Sequence, residues 1–128
     1  MSRECKATFD VTSWDEQPFD EHDGVAKLTR ASVTKKYSGD IAGNSVTAWL
    51  MAYADDGSAI FVGLERIDGT VAGQEGTLVL QHVGKFEDGA AKAELTIVAG
   101  ANSGELAAVA GRGDFLADPS GSVTLELD

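Results

Sequence analysis

The sequence has few of the features that mark secreted, nucleic-acid-binding or metal-dependent proteins. Cys5 is the only cysteine among 128 residues, so no disulfide bond can form within the chain. Ten Lys and Arg residues stand against 21 Asp and Glu residues, giving a net charge of -11. Nucleic acids and anionic lipid surfaces require clustered positive charge. We therefore predict no nucleic-acid partner and no membrane partner.

Long apolar segments and cofactor motifs are also missing. No apolar run approaches the ~20 residues of a membrane helix, and the charged first six residues lack the apolar segment of a secretory signal. His22 and His82, the only histidines, share no metal-ligand spacing with Cys5, and the acidic segment 15–23 lacks the calcium-loop pattern. No nucleophile elbow, phosphate loop or dinucleotide fingerprint is present. We predict a cytoplasmic protein without a metal or a cofactor.

What the sequence does contain is a succession of short β-type runs separated by glycine-rich turns such as Asp56-Gly57. Eight runs are predicted, at residues 5–14, 26–37, 44–54, 58–67, 76–86, 91–99, 105–115 and 123–127. Pro18 predicts that the acidic segment 15–24 is a loop. A closed meander has no free edges. We therefore predict an all-β, antiparallel eight-stranded meander barrel that forms a single domain over residues 1–128.

The alternation within the first run assigns its side chains to two faces. Phe9, Val11 and Ser13 fall on one face and Trp14 falls on the other. Trp14 and Phe9 are therefore predicted to point in opposite directions.

A family resemblance is carried by several of these segments. The glycine-punctuated segment 100–113 resembles the penultimate hairpin of allene oxide cyclases and dirigent proteins. The wider chain is similar to a family of short bacterial proteins of unknown function with an allene-oxide-cyclase-like barrel, through segments 27–31, 37–40, 61–66 and 80–84. The resemblance implies an allene-oxide-cyclase-like barrel and brings no established activity. No catalytic residue of the cyclases is carried over onto this chain.

Two polar pairs interrupt strongly apolar runs. Glu65-Arg66 and Gln81-His82 belong to successive strands, and a turn near residues 69–74 brings the pairs close together. Because neighbouring residues alternate between faces, one member of each pair points inward. We predict catalytic roles for Glu65 and His82, since a buried carboxyl group beside a titratable partner suits general acid–base chemistry. Gln81 is the alternative inward residue, and a purely structural pair is the alternative interpretation.

Aromatic residues with a polar group suit a cavity for a small apolar ligand. The predicted ligand-binding residues are Trp14, Arg30, Trp49, Tyr53, Phe61 and Gln81. The same rings also suit a filled core or a subunit interface. We interpret the chain as a small barrel that binds a small apolar or amphipathic ligand in its interior. The alternatives are a cofactor-free isomerase or cyclase of the allene oxide cyclase type and a filled barrel that serves only as an assembly unit, so the sequence does not decide whether the protein is an enzyme.

Three of the runs carry apolar residues on both faces. In the third run, Trp49 and Met51 oppose Leu50, and in the fourth run Val62 opposes Phe61. One face fills the barrel, and no helix is predicted to cover the other. Since a large exposed apolar patch usually marks an interface, we predict a homo-oligomer, a dimer before a trimer.

Overall fold

The computed structural model describes residues 3–118 and 120–128, and its regular structure is entirely β. The strands are β1 (Arg3–His22), β2 (Val25–Gly39), β3 (Ile41–Tyr53), β4 (Ala59–Val71), β5 (Gln74–Glu87), β6 (Ala90–Ile97), β7 (Ser103–Gly104), β8 (Gly111–Ala117) and β9 (Gly121–Leu127). Eight of them form a closed ring in the order β1-β2-β3-β4-β5-β6-β8-β9, with β9 paired to β1. All pairings are antiparallel, so the predicted eight-stranded barrel is confirmed.

Nothing helical in the described part of the chain is long and apolar enough to span a membrane.

The segment that precedes β8 differs from its prediction. Residues 105–108 form turns, and β8 begins only at Gly111, whereas a strand was predicted from Glu105 onward. Gly104 has a positive φ of 66° and reverses the chain, and the amide of Leu106 then bonds back to the carbonyl of Ser103. The reversal places the fully buried Leu106 side chain in the core.

The acidic segment 15–22 is not a loop but continues strand β1. β1 pairs with β9 only as far as Phe9, and beyond that point it pairs with β2 alone. Residues 10–22 therefore form an extension with one unpaired edge, which we call the arm. Pro18 is tolerated there because an edge strand does not need every backbone N–H for its ladder.

A β-bulge at Thr12 interrupts the alternation of the arm. Val11 lies opposite Lys35, but Ser13 lies opposite Thr34, so Thr12 is an extra residue without a partner of its own. One extra residue moves the side chains that follow it to the other face of the strand, here as far as Pro18, after which the next register shift occurs.

As a result, Trp14 lies opposite the buried residue Val33, and Glu16 lies opposite the buried residue Ala31. Both side chains face the barrel axis, as Phe9 does. The predicted opposition of Trp14 and Phe9 is therefore wrong, because simple alternation does not account for the bulge.

Large side chains fill the central layers of the barrel. The aromatic side chains that pack there are Phe9, Tyr37, Trp49, Phe61 and Phe115. The ring centroids of Trp49 and Phe61 are 4.9 Å apart, and those of Phe61 and Phe115 are 6.1 Å apart. An eight-stranded barrel is just wide enough for side chains or for one small ligand, and here the rings occupy this space.

Two inward-facing glycines make room for these rings. A Cβ atom at Gly63 would lie 2.0 Å from the carbonyl oxygen of Ala48 and 2.7 Å from Cδ1 of Trp49. A Cβ atom at Gly84 would lie 2.7 Å from Cζ of Phe61. Both glycines are therefore required by close packing.

Candidate functional site

Three ionisable side chains meet in the barrel interior. Lys35 comes from β2, Glu65 from β4 and His82 from β5, and their side chains are at most 1% exposed. Nε2 of His82 lies 2.9 Å from Oε1 of Glu65, and Nζ of Lys35 lies 3.6 Å from Oε2 of Glu65. We call these three residues the buried charged cluster.

Glu65 is the acceptor on which this cluster depends. The hydroxyl groups of Tyr37 and Ser45 donate to its Oε2 at 2.7 and 2.6 Å. Burial alone would raise the pKa of Glu65, but the hydrogen bond from His82 and the charge of Lys35 outweigh it and lower the pKa to about 2. Glu65 is therefore a carboxylate at neutral pH.

The protonation of His82 follows from its second partner. The indole Nε1–H of Trp49 donates to Nδ1 of His82 at 3.2 Å. An indole nitrogen only donates, so Nδ1 carries no proton and Nε2–H donates to Glu65. Burial lowers the pKa of His82 despite the neighbouring carboxylate. His82 is therefore a neutral imidazole with its proton on Nε2.

Lys35 is the least satisfied member of the cluster. Within the described structure, its Nζ is buried and has no hydrogen-bond partner. The ammonium group lies 4.5 Å from the ring centroid of Phe9, 5.2 Å from that of Trp49 and 5.1 Å from that of Phe115. Burial lowers the pKa of Lys35, and the charge of Glu65 opposes that change. Ring faces and one carboxylate thus replace the water that the amine has lost.

A second polar group lies where the arm meets the barrel. The carboxylate of Glu16 accepts hydrogen bonds from the hydroxyl of Tyr53, from the hydroxyl of Thr29 at 2.7 Å and from the indole of Trp14 at 3.2 Å. Burial would raise the pKa of Glu16, but the bonds from Tyr53 and Thr29 lower it. Burial and the bond to Glu16 raise the pKa of Tyr53 to about 12. We call Trp14, Glu16, Thr29 and Tyr53 the arm-end cluster.

The two tryptophans connect the two clusters. The ring of Trp14 packs against that of Trp49 with a centroid distance of 5.5 Å. Trp14 is 47% exposed, whereas Trp49 is 5% exposed and holds the hydrogen bond to His82. A molecule bound against Trp14 would therefore lie one side chain away from the buried charged cluster.

The predicted site residues occupy three different environments. Glu65, His82, Trp49 and Phe61 lie in the core, Trp14 and Tyr53 lie at the arm end, and Arg30 and Gln81 are exposed on the outer face. The predicted interior position of Arg30 is wrong, since the alternation of β2 turns its neighbour Ala31 inward instead. Of the two alternatives in β5, His82 is the inward residue and Gln81 faces outward. The guanidinium of Arg30 lies 5.7 Å from the ring centroid of Phe19.

Lys35 and Glu16 were not among the predicted site residues. Lys35 is two positions from each of the apolar residues Val33 and Tyr37, so strict alternation places all three side chains on the same face of the strand. This alternation was the available signal for an inward lysine. Glu16 is assigned to the inner face only once the bulge is known. Among residues 3–118 and 120–128, no group of three His, Cys, Asp or Glu side chains could hold a metal ion.

Comparisons with known proteins place the chain by sequence and by fold. The sequence model of one family, described as "Protein of unknown function (DUF3224)", matches residues 5–128. No curated protein matches. A crystal structure of a protein with unknown function from the DUF3224 family of Shewanella oneidensis MR-1 superposes with a TM-score of 0.81 at 24% sequence identity, and the match covers 100% of this chain and 98% of that chain. At this identity the likeness shows the fold alone, and the similarity to allene oxide cyclases stays a prediction.

Proposed function

Since this chain belongs to the DUF3224 family, whose description assigns no activity, we infer its function from the site. We propose that the barrel binds a small apolar molecule with a hydroxyl group at the arm-end cluster. The observation that carries the proposal is the bulge at Thr12, which turns Trp14 and Glu16 toward the barrel axis. Bulges frequently re-aim side chains next to functional sites. The alternation of an unbulged strand would point both residues outward.

The apolar part of the ligand would contact Trp14 and Val11. These side chains face the barrel axis yet are 47% and 49% exposed, so water covers apolar surface at the end of the barrel interior. The ring of Trp49 packs against that of Trp14 on the core side and would form the base of the binding site. Aromatic walls with a few fixed polar groups are typical of small-molecule sites.

Glu16 determines the polar group that the ligand should carry. A carboxylate offers about four acceptor positions, and Tyr53, Thr29 and Trp14 use three of them. The remaining position suits a hydroxyl donor. A ligand carboxylate is disfavoured, because it would lie beside the ionised Glu16 on a chain with a net charge of -11.

A tryptophan fluorescence titration with 1-decanol tests this proposal, because both tryptophans of the chain lie at the site. We expect a saturable spectral change with 1-decanol and weaker binding of decanoate. Trp14→Ala should abolish decanol binding. Glu16→Gln should weaken it about tenfold or more, since a hydrogen bond to a charged group contributes roughly 1.5–3 kcal/mol.

Leu64→Ala is the matched control, since Leu64 is 56% exposed on the outer face of β4. This variant should bind 1-decanol as the wild type does. A non-saturating titration, or equal affinity in wild type and Trp14→Ala, would contradict a binding site at the arm end.

A second candidate function is that of a cofactor-free isomerase or cyclase, with Glu65 and His82 as its catalytic residues. It is favoured by the buried Nζ of Lys35, since unsatisfied buried groups and perturbed titratable residues concentrate at functional sites. In this candidate Glu65 acts as a fixed anion rather than as a proton donor, because its pKa is lowered to about 2.

The affinity for 1-decanol separates the two candidate functions. Binding at the arm end predicts an unchanged affinity in Glu65→Gln, and loss of binding in a folded Glu65→Gln protein favours the buried charged cluster.

A further inference from the structure

The outer face of the barrel carries a continuous apolar surface across β3, β4 and β5. Its large side chains are between 47% and 63% exposed, and they are Val46, Leu50, Ile60, Val62, Leu64 and Val83. The strand register makes them neighbours, since Leu50 lies opposite Val62 and Val62 lies opposite Val83. Facing pairs on adjacent strands are close enough to contact each other. We call these six residues the outer patch.

The charge around the outer patch differs from that of the whole chain. The chain contains 21 Asp and Glu residues, yet the outward positions 46, 48, 50 and 52 of β3 and 60, 62, 64 and 66 of β4 carry none of them. The cations beside the patch are Arg30, Arg66 and Lys85. Carboxylates lie at its edges, where Asp15 and Asp68 each line a cavity together with Val46 and Glu94 lies opposite Val83. The centre of the patch thus lacks carboxylates on an acidic protein.

We propose that the outer patch is a dimer interface between two copies of this chain, related by a two-fold axis. Two chains with a charge of -11 each repel one another, and pairing through this face keeps carboxylates out of the centre of the contact. Isologous pairing requires one self-complementary surface, and an apolar surface meets that requirement without opposing charges at its centre.

The size and shape of the patch fit a second copy. Its six side chains expose an area on the order of 500–600 Å², which with the surrounding residues approaches the roughly 800 Å² that each partner buries in a standard interface. The face is also grooved. One cavity of about 510 Å³ is lined in part by Val46 and Leu64, and one of about 180 Å³ is lined in part by Leu50, Ile60 and Val62. Protruding side chains of a partner sheet face would fill such grooves.

Sedimentation velocity at micromolar concentration tests the interface. The chain has a mass of 13.3 kDa, so the wild type should sediment as a dimer of about 27 kDa, and high salt should strengthen the dimer by screening the net repulsion. Val62→Glu and Leu64→Glu should each sediment as monomers, because each would bury an unpaired charge in the interface. Near-ultraviolet circular dichroism would show that the variants keep the native packing of their aromatic side chains.

The matched control is Val25→Glu, the same change at a valine that is 63% exposed next to the β1–β2 turn, outside the outer patch. This variant should remain dimeric. A wild-type monomer overturns the proposal, whether it stays free in solution or binds to phosphatidylcholine vesicles through the patch. A dimer that persists in both folded glutamate variants, or that Val25→Glu also dissociates, overturns it too.

Discussion

His82 is held neutral by its surroundings, and this has a consequence for stability at acid pH. The folded protein keeps the pKa of His82 below its ordinary value of 6.5. The unfolded chain therefore binds more protons at this residue as the pH falls below about 6.5, so that folding becomes less favourable. Glu65 adds a second loss, because its folded pKa of about 2 lies below its ordinary value of 4.5.

We expect the free energy of unfolding to decrease between pH 7 and pH 5, by at most about 1.4 kcal/mol per pH unit from His82. His82→Gln should flatten this dependence, although the variant is less stable at pH 7. Urea denaturation at a series of pH values measures both effects. His22→Gln is the control, since His22 is exposed and its side chain pairs with the exposed side chain of Asp20. A pH dependence that disappears in His22→Gln and persists in His82→Gln would contradict this assignment.

The placement of Glu65 beside His82 was predictable, whereas the environment of Lys35 was not. Glu65 and His82 belong to two strongly apolar runs that a short turn joins into a hairpin. Small changes in the pairing of the two strands would still leave these polar residues close together. For Lys35, the adjacent Lys36 and Thr34 made the segment look like a solvated face. An inward lysine requires a carboxylate from another strand, and the contact to Glu65 spans 30 positions of sequence that no local pattern connects.

The arm is the element that differs most from an ideal barrel strand, and its bulge is a direct target for mutagenesis. Deleting Thr12 restores alternation from Phe9 to Pro18, so that Trp14 turns outward and Glu16 loses its hydrogen bonds to Tyr53 and Thr29. We expect the deletion to shift tryptophan emission to longer wavelength and to abolish 1-decanol binding. The far-ultraviolet spectrum should retain its β character, because β1 still pairs with β9 through Arg3–Phe9.

Thr12→Ser is the control for this deletion, since it keeps the extra residue and the hydroxyl that contacts Thr34 at 2.6 Å. The serine variant should bind 1-decanol normally. Unchanged binding in the deletion variant would show that the bulge does not create the site.

Element boundaries were predictable where turns carry glycine, and they were wrong where local signals compete. The turns after β2, β3 and β5 follow the glycine pattern closely. The arm was predicted as a loop because its acidic residues and Pro18 oppose a central strand, and an edge strand tolerates them. The bulge has no local signature, since residues 11–14 read as ordinary alternation.

For the molecule as a whole, one strand contributes to two separate surfaces. β3 directs Trp49 to the interior, where it reaches the arm-end cluster, and directs the neighbouring Leu50 to the outer patch. The proposed ligand binding and the proposed dimer formation therefore depend on different residues. Val62→Glu should dissociate the dimer and leave 1-decanol affinity unchanged, so the two proposals fail or hold independently.

The most direct test of ligand binding at the arm end is a ¹H–¹⁵N correlation spectrum recorded during a 1-decanol titration. The chain has two indole N–H groups, one donating to Glu16 and the other to His82. We expect both indole signals to shift with a common saturation curve, while the amide signals of Val62 and Leu64 stay in place. Stationary indole signals with moving amides at Val62 and Leu64 would contradict the proposed site and place the bound alcohol on the outer patch.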